Sequence, residues 1–190
     1  LPSGIPIVET FPYPCAAGVL GSADPQYQIS AVCEKPCPAG SICPTVATTG
    51  AVECSAGTYC PEGRVVARPC RAGTYSNTTG RTSASDCATC DAGYSCAVGS
   101  TKQEECLPGT YTASQGQRMC SLCASGKFQD ESGKTVCKSC STKAYCPEGA
   151  VLPSPCPPGT ANPIEGASSS EACQPCAKGF WCTGGDSIPC

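Results

Sequence analysis

From Cys15 onward most aromatic side chains stand one at a time, a residue or two beyond a glycine, with polar, Gly-rich and Pro-rich sequence between them. Tyr59, Tyr75, Tyr94, Tyr111, Phe128, Tyr145, Phe180 and Trp181 fill this place, and Ile42 and Ala161 mark weaker copies. The glycine itself lies three residues after a cysteine at Gly18, Gly40, Gly57, Gly73, Gly93, Gly109, Gly126, Gly159 and Gly179, with Lys143 the exception. A second glycine follows ten residues after the opening cysteine at Gly80, Gly116, Gly133 and Gly166. Cysteine, turn, short strand with one aromatic, second turn and closing cysteine together predict a small β-hairpin. Pro and Gly interrupt every segment before a helix could nucleate, so little helix is expected. The first fourteen residues differ. Ile5, Ile7, Val8, Phe11 and Tyr13 form an apolar set among four prolines, which forbid a helix and predict an extended segment.

Composition explains why such hairpins would need staples. Leu, Ile, Val and Phe number 24 of 190 residues, below the roughly 20% at which a conventional core becomes possible. Cysteine supplies 21 residues, which makes a disulfide scaffold the leading reading. A closed loop of about 15 residues contributes roughly 3 kcal/mol in the chain-entropy description, enough in series to offset ordering entropy that apolar burial cannot. Disulfides in this number persist in an oxidising space, which places the chain outside the cell or in the secretory pathway. The expected class is therefore a small disulfide-rich protein, an elongated tandem array of short β-hairpin cysteine-rich repeats with little helix and no large hydrophobic core. Each hairpin could bury its aromatic only against a disulfide or a neighbour, so stability would accumulate along one dimension, giving a rod.

The gaps between cysteines fall into long loops, C-x13 to x17-C, and short loops, C-x5-C. Two irregular copies, at Cys54 with Cys60 and at Cys106 with Cys120, look like inserted half-units of two cysteines. Such insertions preserve the other pairs only if the two close on each other. Sequential pairing follows: Cys15-Cys33, Cys37-Cys43, Cys54-Cys60, Cys70-Cys87, Cys90-Cys96, Cys106-Cys120, Cys123-Cys137, Cys140-Cys146, Cys156-Cys173 and Cys176-Cys182. An interlaced scheme, first with third and second with fourth, is the alternative. Cys190 is left unpaired within the segment; its spacing would open a further long loop, and an intermolecular bond is the other reading. The expected divisions are 1–14, an extended Pro-rich linker or docking strand; 15–53, the first repeat; 54–69, a half-repeat; 70–105, the second repeat; 106–122, a half-repeat; 123–155, the third repeat; and 156–190, the fourth.

Candidate chemistry is sparse. The chain has no histidine, so the usual general base and the Ser-His-Asp and Cys-His constellations are unavailable, and no catalytic residue is expected. The run Cys120, Cys123, Cys137, Cys140 has zinc-ribbon spacing, but the same two-residue gap recurs as a linker between loops elsewhere, and no metal or cofactor is assigned. Asp130-Glu131 lacks the spaced acidic set of a calcium loop and reads as a solvated turn. A net charge of -3 without a basic cluster gives no footprint for nucleic acid, and no apolar run reaches the length of a membrane span. Asn77-Thr78-Thr79 is an N-glycosylation sequon, and Thr45, Thr48, Thr49 and Ser168 to Ser170 are compositional candidates for O-glycans.

The recurring C54-SAGTY, C70-RAGTY and C106-LPGTY, followed by S-N-T-T-G or T-A-S-Q-G and a C-x2-C, resemble the ephrin-receptor-like cysteine-rich repeat across residues 15 to 190. Tumour-necrosis-factor-receptor modules have related but different spacing. The resemblance implies an extracellular, β-poor, disulfide-laddered module of the kind found in receptor stalks, in large surface proteins of protists and algae, and in flagellar-hair (mastigoneme-type) proteins. The expected function is a structural, non-catalytic segment of a cell-surface or filament-forming glycoprotein, with a ligand-binding receptor or adhesin ectodomain as the alternative. The expected partners are glycans, neighbouring domains of the same chain, and further copies bound through Ile5, Ile7, Val8, Phe11 and Tyr13.

Overall fold

The computed structural model describes residues 15–21, 33 and 35–190. The assembly segment Ile5, Ile7, Val8, Phe11 and Tyr13 lies outside the described residues. Within them the chain forms ten two-stranded antiparallel sheets, each made of consecutive strands. Hairpin 1 joins Val19–Leu20 to Lys35–Pro36, hairpin 2 Ser41–Ile42 to Val52–Glu53, and hairpin 3 Thr58–Tyr59 to Arg68–Pro69. Hairpin 4 joins Thr74–Tyr75 to Ala88–Thr89, hairpin 5 Tyr94–Ser95 to Glu104–Glu105, and hairpin 6 Thr110–Tyr111 to Ser121–Leu122. Hairpin 7 joins Lys127–Phe128 to Lys138–Ser139, hairpin 8 Ala144–Tyr145 to Ser154–Pro155, and hairpin 9 Thr160–Ala161 to Gln174–Pro175. Hairpin 10, Phe180–Thr183 with Asp186–Pro189, has four-residue strands where the others have two. The helical content of the described residues is two single 3-10 turns, Ala84–Asp86 and Ser170–Ala172.

The chain divides into two compact units. The first holds residues 1–89 and 97–102, the second residues 90–96 and 103–190. Inside each unit the same three backbone hydrogen bonds recur from one hairpin to the next as far as hairpin 9, while hairpins 9 and 10 share the first of them, Gly159 N–H to Cys182 O at 3.0 Å. In the second unit, Gly109 N–H donates to Gln129 O at 2.7 Å, Thr112 N–H to Lys134 O at 3.4 Å, and Gly133 N–H to Cys106 O at 2.8 Å. One step on, Gly126 donates to Cys146 O, Gln129 to Ala150 O, and Gly149 to Cys123 O. The first unit repeats the pattern with Gly40 to Cys60 O, Cys43 to Arg64 O, and Gly63 to Cys37 O. An isolated two-residue hairpin is marginal in water, and these bonds satisfy the edges that would otherwise be left open.

Glycine is required where hairpins two apart meet. Gly18 has φ +87°, and a Cβ there would lie 2.7 Å from the carbonyl oxygen of Gly63; at Gly40, φ +84°, a Cβ would lie 2.6 Å from that of Gly80. A side chain is excluded by both backbone conformation and space. Lys143 holds the same left-handed conformation at φ 72°, and Ala47 stands at φ 55° in the second-turn position of hairpin 2, donating to Cys15 O.

The buried apolar material is almost entirely cystine: fifteen half-cystines are buried, joined by Ala144, Ala150 and Ala167. The aromatics expected to be buried are only half-buried at Tyr59, Tyr75, Tyr94, Tyr111, Phe128 and Tyr145. The reason is dimensional. A strand of two residues offers no second layer to close over a ring, and the one aromatic packed on a buried cluster, Phe128, lies against Cys140, Ala144, Cys146 and Ala150 of the next hairpin.

Candidate functional site

The repeated site in this fold is the staple inside each hairpin. The structure joins Cys15 to Cys33, Cys37 to Cys43, Cys54 to Cys60, Cys70 to Cys87 and Cys90 to Cys96. It joins Cys106 to Cys120, Cys123 to Cys137, Cys140 to Cys146, Cys156 to Cys173 and Cys176 to Cys182. Cα–Cα separations run from 5.6 to 6.3 Å, the ordinary range for a bridge. The four sulfurs of zinc-ribbon spacing, Cys120, Cys123, Cys137 and Cys140, are thus divided among three disulfides, not gathered around one point.

Long and short loops are one hairpin with two staple placements. The residue six after the opening cysteine directly follows the first strand in hairpins 1 to 9 and lies within the longer first strand of hairpin 10. In short loops it is the closing half-cystine, at Cys43, Cys60, Cys96, Cys146 and Cys182. In long loops the same position is Gly21, Ser76, Thr112, Gln129 or Asn162, and the closing cysteine moves to just before the second strand in hairpins 4, 6, 7 and 9. The four polar side chains at this position are all buried. Each is satisfied by hydrogen bonds to nearby main chain. Ser76 Oγ donates to Thr78 O at 3.1 Å. Thr112 Oγ1 accepts from Gly93 N–H at 2.8 Å and donates to Tyr94 O at 3.3 Å. Gln129 Nε2 donates to Val136 O at 2.7 Å while its Oε1 accepts from Glu131 N–H at 3.1 Å. Asn162 donates through Nδ2 to Ala144 O at 2.9 Å and Ile164 O at 3.0 Å, and accepts from Ile164 N–H at 3.0 Å. A buried amide is stable only when its donors and acceptor are used, and here they replace the covalent tie.

These polar staples escaped the sequence reading, although their fixed offset of six residues was available. So did Gly63, Gly99 and Gly149, which serve in short loops as the second turn glycine nine residues after the opening cysteine.

Electrostatic features are local and solvent-facing. Asp86 is held below its ordinary value first by the backbone N–H of Thr82 and then by that of Ser83, which fastens the Ala84–Asp86 turn. The carboxylate of Glu105 beside Tyr94 raises the phenol, whose O–H reaches it at 3.4 Å. Lys138 pairs with Asp130 at 2.6 Å, which lowers the carboxyl and raises the ammonium, and it stands 6.0 Å over the Phe128 ring. An open groove beside the Cys123–Cys137 bridge is lined by Tyr111, Lys127 and Val136 and holds no carboxylate. Among the described residues no group of three His, Cys, Asp or Glu is placed to hold a metal, and no helix is long and apolar enough to cross a membrane.

The remaining candidates are placed as follows. Asn77, Thr78 and Thr79 are exposed in the loop of hairpin 4. Thr45 and Thr49 are exposed, whereas Thr48 is buried with its hydroxyl donating to Thr45 O at 2.6 Å, which removes it as an O-glycan acceptor. Cys190 is an exposed free thiol whose N–H donates to Gly179 O at 2.9 Å, the bond that every opening cysteine from Cys123 to Cys176 makes to the hairpin before it or its Lys143 counterpart.

This geometry defines a tandem array of disulfide-stapled β-hairpins, a cysteine-rich repeat protein. Residues 109–154 match the family described as tyrosine-protein kinase ephrin type A/B receptor-like. The match runs from the first-turn glycine of hairpin 6 to the second strand of hairpin 8, so these hairpins are similar to ephrin-receptor-like cysteine-rich repeats. No curated protein matches the chain. The repeats and their disulfides fit an extracellular, receptor-like segment.

Proposed function

We propose that the chain is a structural, non-catalytic extracellular segment of a cell-surface or filament-forming glycoprotein, in which each stapled hairpin is one module. The observation that carries this reading is the recurrence of the same three inter-hairpin bonds from hairpin to hairpin within each unit as far as hairpin 9, with the aromatics of hairpins 3 to 8 set one in each and not gathered into a central cleft. A spacer needs uniform stiffness, and uniform stitching supplies it. Asn77 carries an N-glycan in this reading, and self-association runs through residues 1–14. Electron microscopy of the native material tests it: periodic filaments or uniform stalks are expected, and compact particles saturated with a bound ligand would overturn it. The receptor reading keeps one observation in its favour, the exposed apolar side chains Phe180, Trp181 and Ile188 gathered on hairpin 10.

A further inference from the structure

In the first unit two arginines flank one aromatic ring. Tyr59 closes the first strand of hairpin 3 and has Arg68 as its cross-strand partner. On its other side runs Arg81 of hairpin 4, whose carbonyl accepts the Cys60 N–H at 2.8 Å. The equivalent bonds, Ser76 N–H to Ser100 O and Gln129 N–H to Ala150 O, accompany the bridges Tyr75–Ser100 and Phe128–Ala150. Arg81 therefore holds beside Tyr59 the place that Ser100 holds beside Tyr75. Residues in one row across neighbouring strands turn their side chains to one face. No ring in hairpins 4, 6, 7 and 8 has a cation on both sides: Tyr111 stands between Lys134 and Ser121, and Phe128 between Lys138 and Ala150.

Neither arginine forms an ion pair among the described residues. Glu53, whose carboxylate lies beside Gly80, and Glu62, in the loop of hairpin 3, pair with neither. Hairpin 7 shows the compensated form of the same positions. There Lys138 and Lys134 are matched by Asp130 and Glu131, whose counterparts are Pro61 and Glu62 in hairpin 3 and Asn77 and Thr78 in hairpin 4. Arg81 Nε is also buried without an acceptor, a donor that the fold leaves unused.

We infer that Arg68, Tyr59 and Arg81 bind a sulfated stretch of an extracellular polysaccharide. A guanidinium offers a sulfate two parallel N–H donors, and the half-buried ring between them offers an apolar surface to the C–H face of a sugar. The two arginine backbones lie about 10 Å apart, two strand spacings, which suits groups on neighbouring sugars better than one bare ion. This ligand class goes beyond the structural reading and does not depend on filament formation.

The test is a titration of a fluorescein-labelled heparin octasaccharide, followed by anisotropy, with the 190-residue chain carrying Cys190→Ser, which removes the exposed thiol. Saturable binding is expected. Arg68→Gln and Arg81→Gln each weaken it about tenfold. Arg68→Lys and Arg81→Lys, which keep the charge and lose the fork, weaken it about threefold and carry the test if a glutamine variant fails to fold. Arg118→Gln, at an exposed cation of the second unit without an ion pair among the described residues, leaves it unchanged. The inference is overturned by unchanged anisotropy at millimolar chain, by equal weakening from Arg118→Gln, or by tighter binding of a thymidine oligonucleotide of the same formal charge.

Discussion

Hairpins 8 and 9 solve one problem in two ways. In hairpin 8 the residue after the first strand is Cys146, bonded to Cys140; in hairpin 9 it is Asn162, with three hydrogen bonds to main chain. Both side chains are buried, and the N–H of Cys146 and of Gln129, another polar staple, donate to the equivalent carbonyl of the next hairpin. The covalent bond of hairpin 9 is displaced to Cys156–Cys173, enclosing a loop of 17-residue separation where hairpin 8 encloses six. In hairpins 2 to 10 the position therefore carries a tie, covalent or hydrogen-bonded; hairpin 1, with Gly21 there, has neither. Wherever a local amide or hydroxyl supplies that tie, the disulfide is released to close a longer loop.

The comparison is sharpened first by deleting each covalent staple. Replacing both half-cystines of Cys156–Cys173 with alanine is expected to cost about 3 kcal/mol, and the same change at Cys140–Cys146 about 2 kcal/mol, since loop-closure entropy grows with loop length. Urea unfolding of the two variants reads the difference, and a larger loss at the short loop would show that native packing, not loop closure, sets the cost. Next comes Asn162→Ala. It removes one acceptor and two donations and leaves Ala144 O short of a partner, for an expected loss of about 2 kcal/mol. An unchanged urea midpoint would mean the amide is not a staple.

A smaller effect, of opposite sign, is expected at Lys143. Its left-handed backbone suits glycine, so Lys143→Gly should stabilise by up to about 1 kcal/mol, less the modest contribution of its exposed pair with Asp186 at 2.6 Å. Thermal unfolding checks the sign. The smallest effect is acidic loosening of the Ala84–Asp86 turn. Asp86 titrates below its ordinary 3.8, so its contribution is present above that value and is lost as pH falls through the lowered one. Protection of the Thr82 and Ser83 amides, taken relative to the intrinsic exchange rate at each pH, should fall only at the acid end of that window, and a loss of protection near neutrality would contradict the assignment.

The fold class was legible because its signals are positional. Gly three residues after a cysteine marks a left-handed turn that no other residue adopts cheaply, and the aromatic beyond it marks the first strand. The period of the array was harder to read. Cysteine gaps alone group hairpins 1 and 2 into one repeat and isolate hairpin 3 as a half, yet the backbone treats each hairpin alike, because the stitching bonds use main chain and ignore where the disulfide closes. Ser76, Thr112, Gln129 and Asn162 escaped notice for a related reason. They share burial and hydrogen bonding but no side-chain chemistry that a pattern of residue types would group.

The account stands most directly on one staple per hairpin, closed within that hairpin. Proteolysis of the oxidised chain without reduction, followed by mass spectrometry of the linked peptides, measures this. The account predicts Cys70 joined to Cys87, Cys90 to Cys96 and Cys106 to Cys120; a Cys87-to-Cys96 or a Cys90-to-Cys106 link would contradict it.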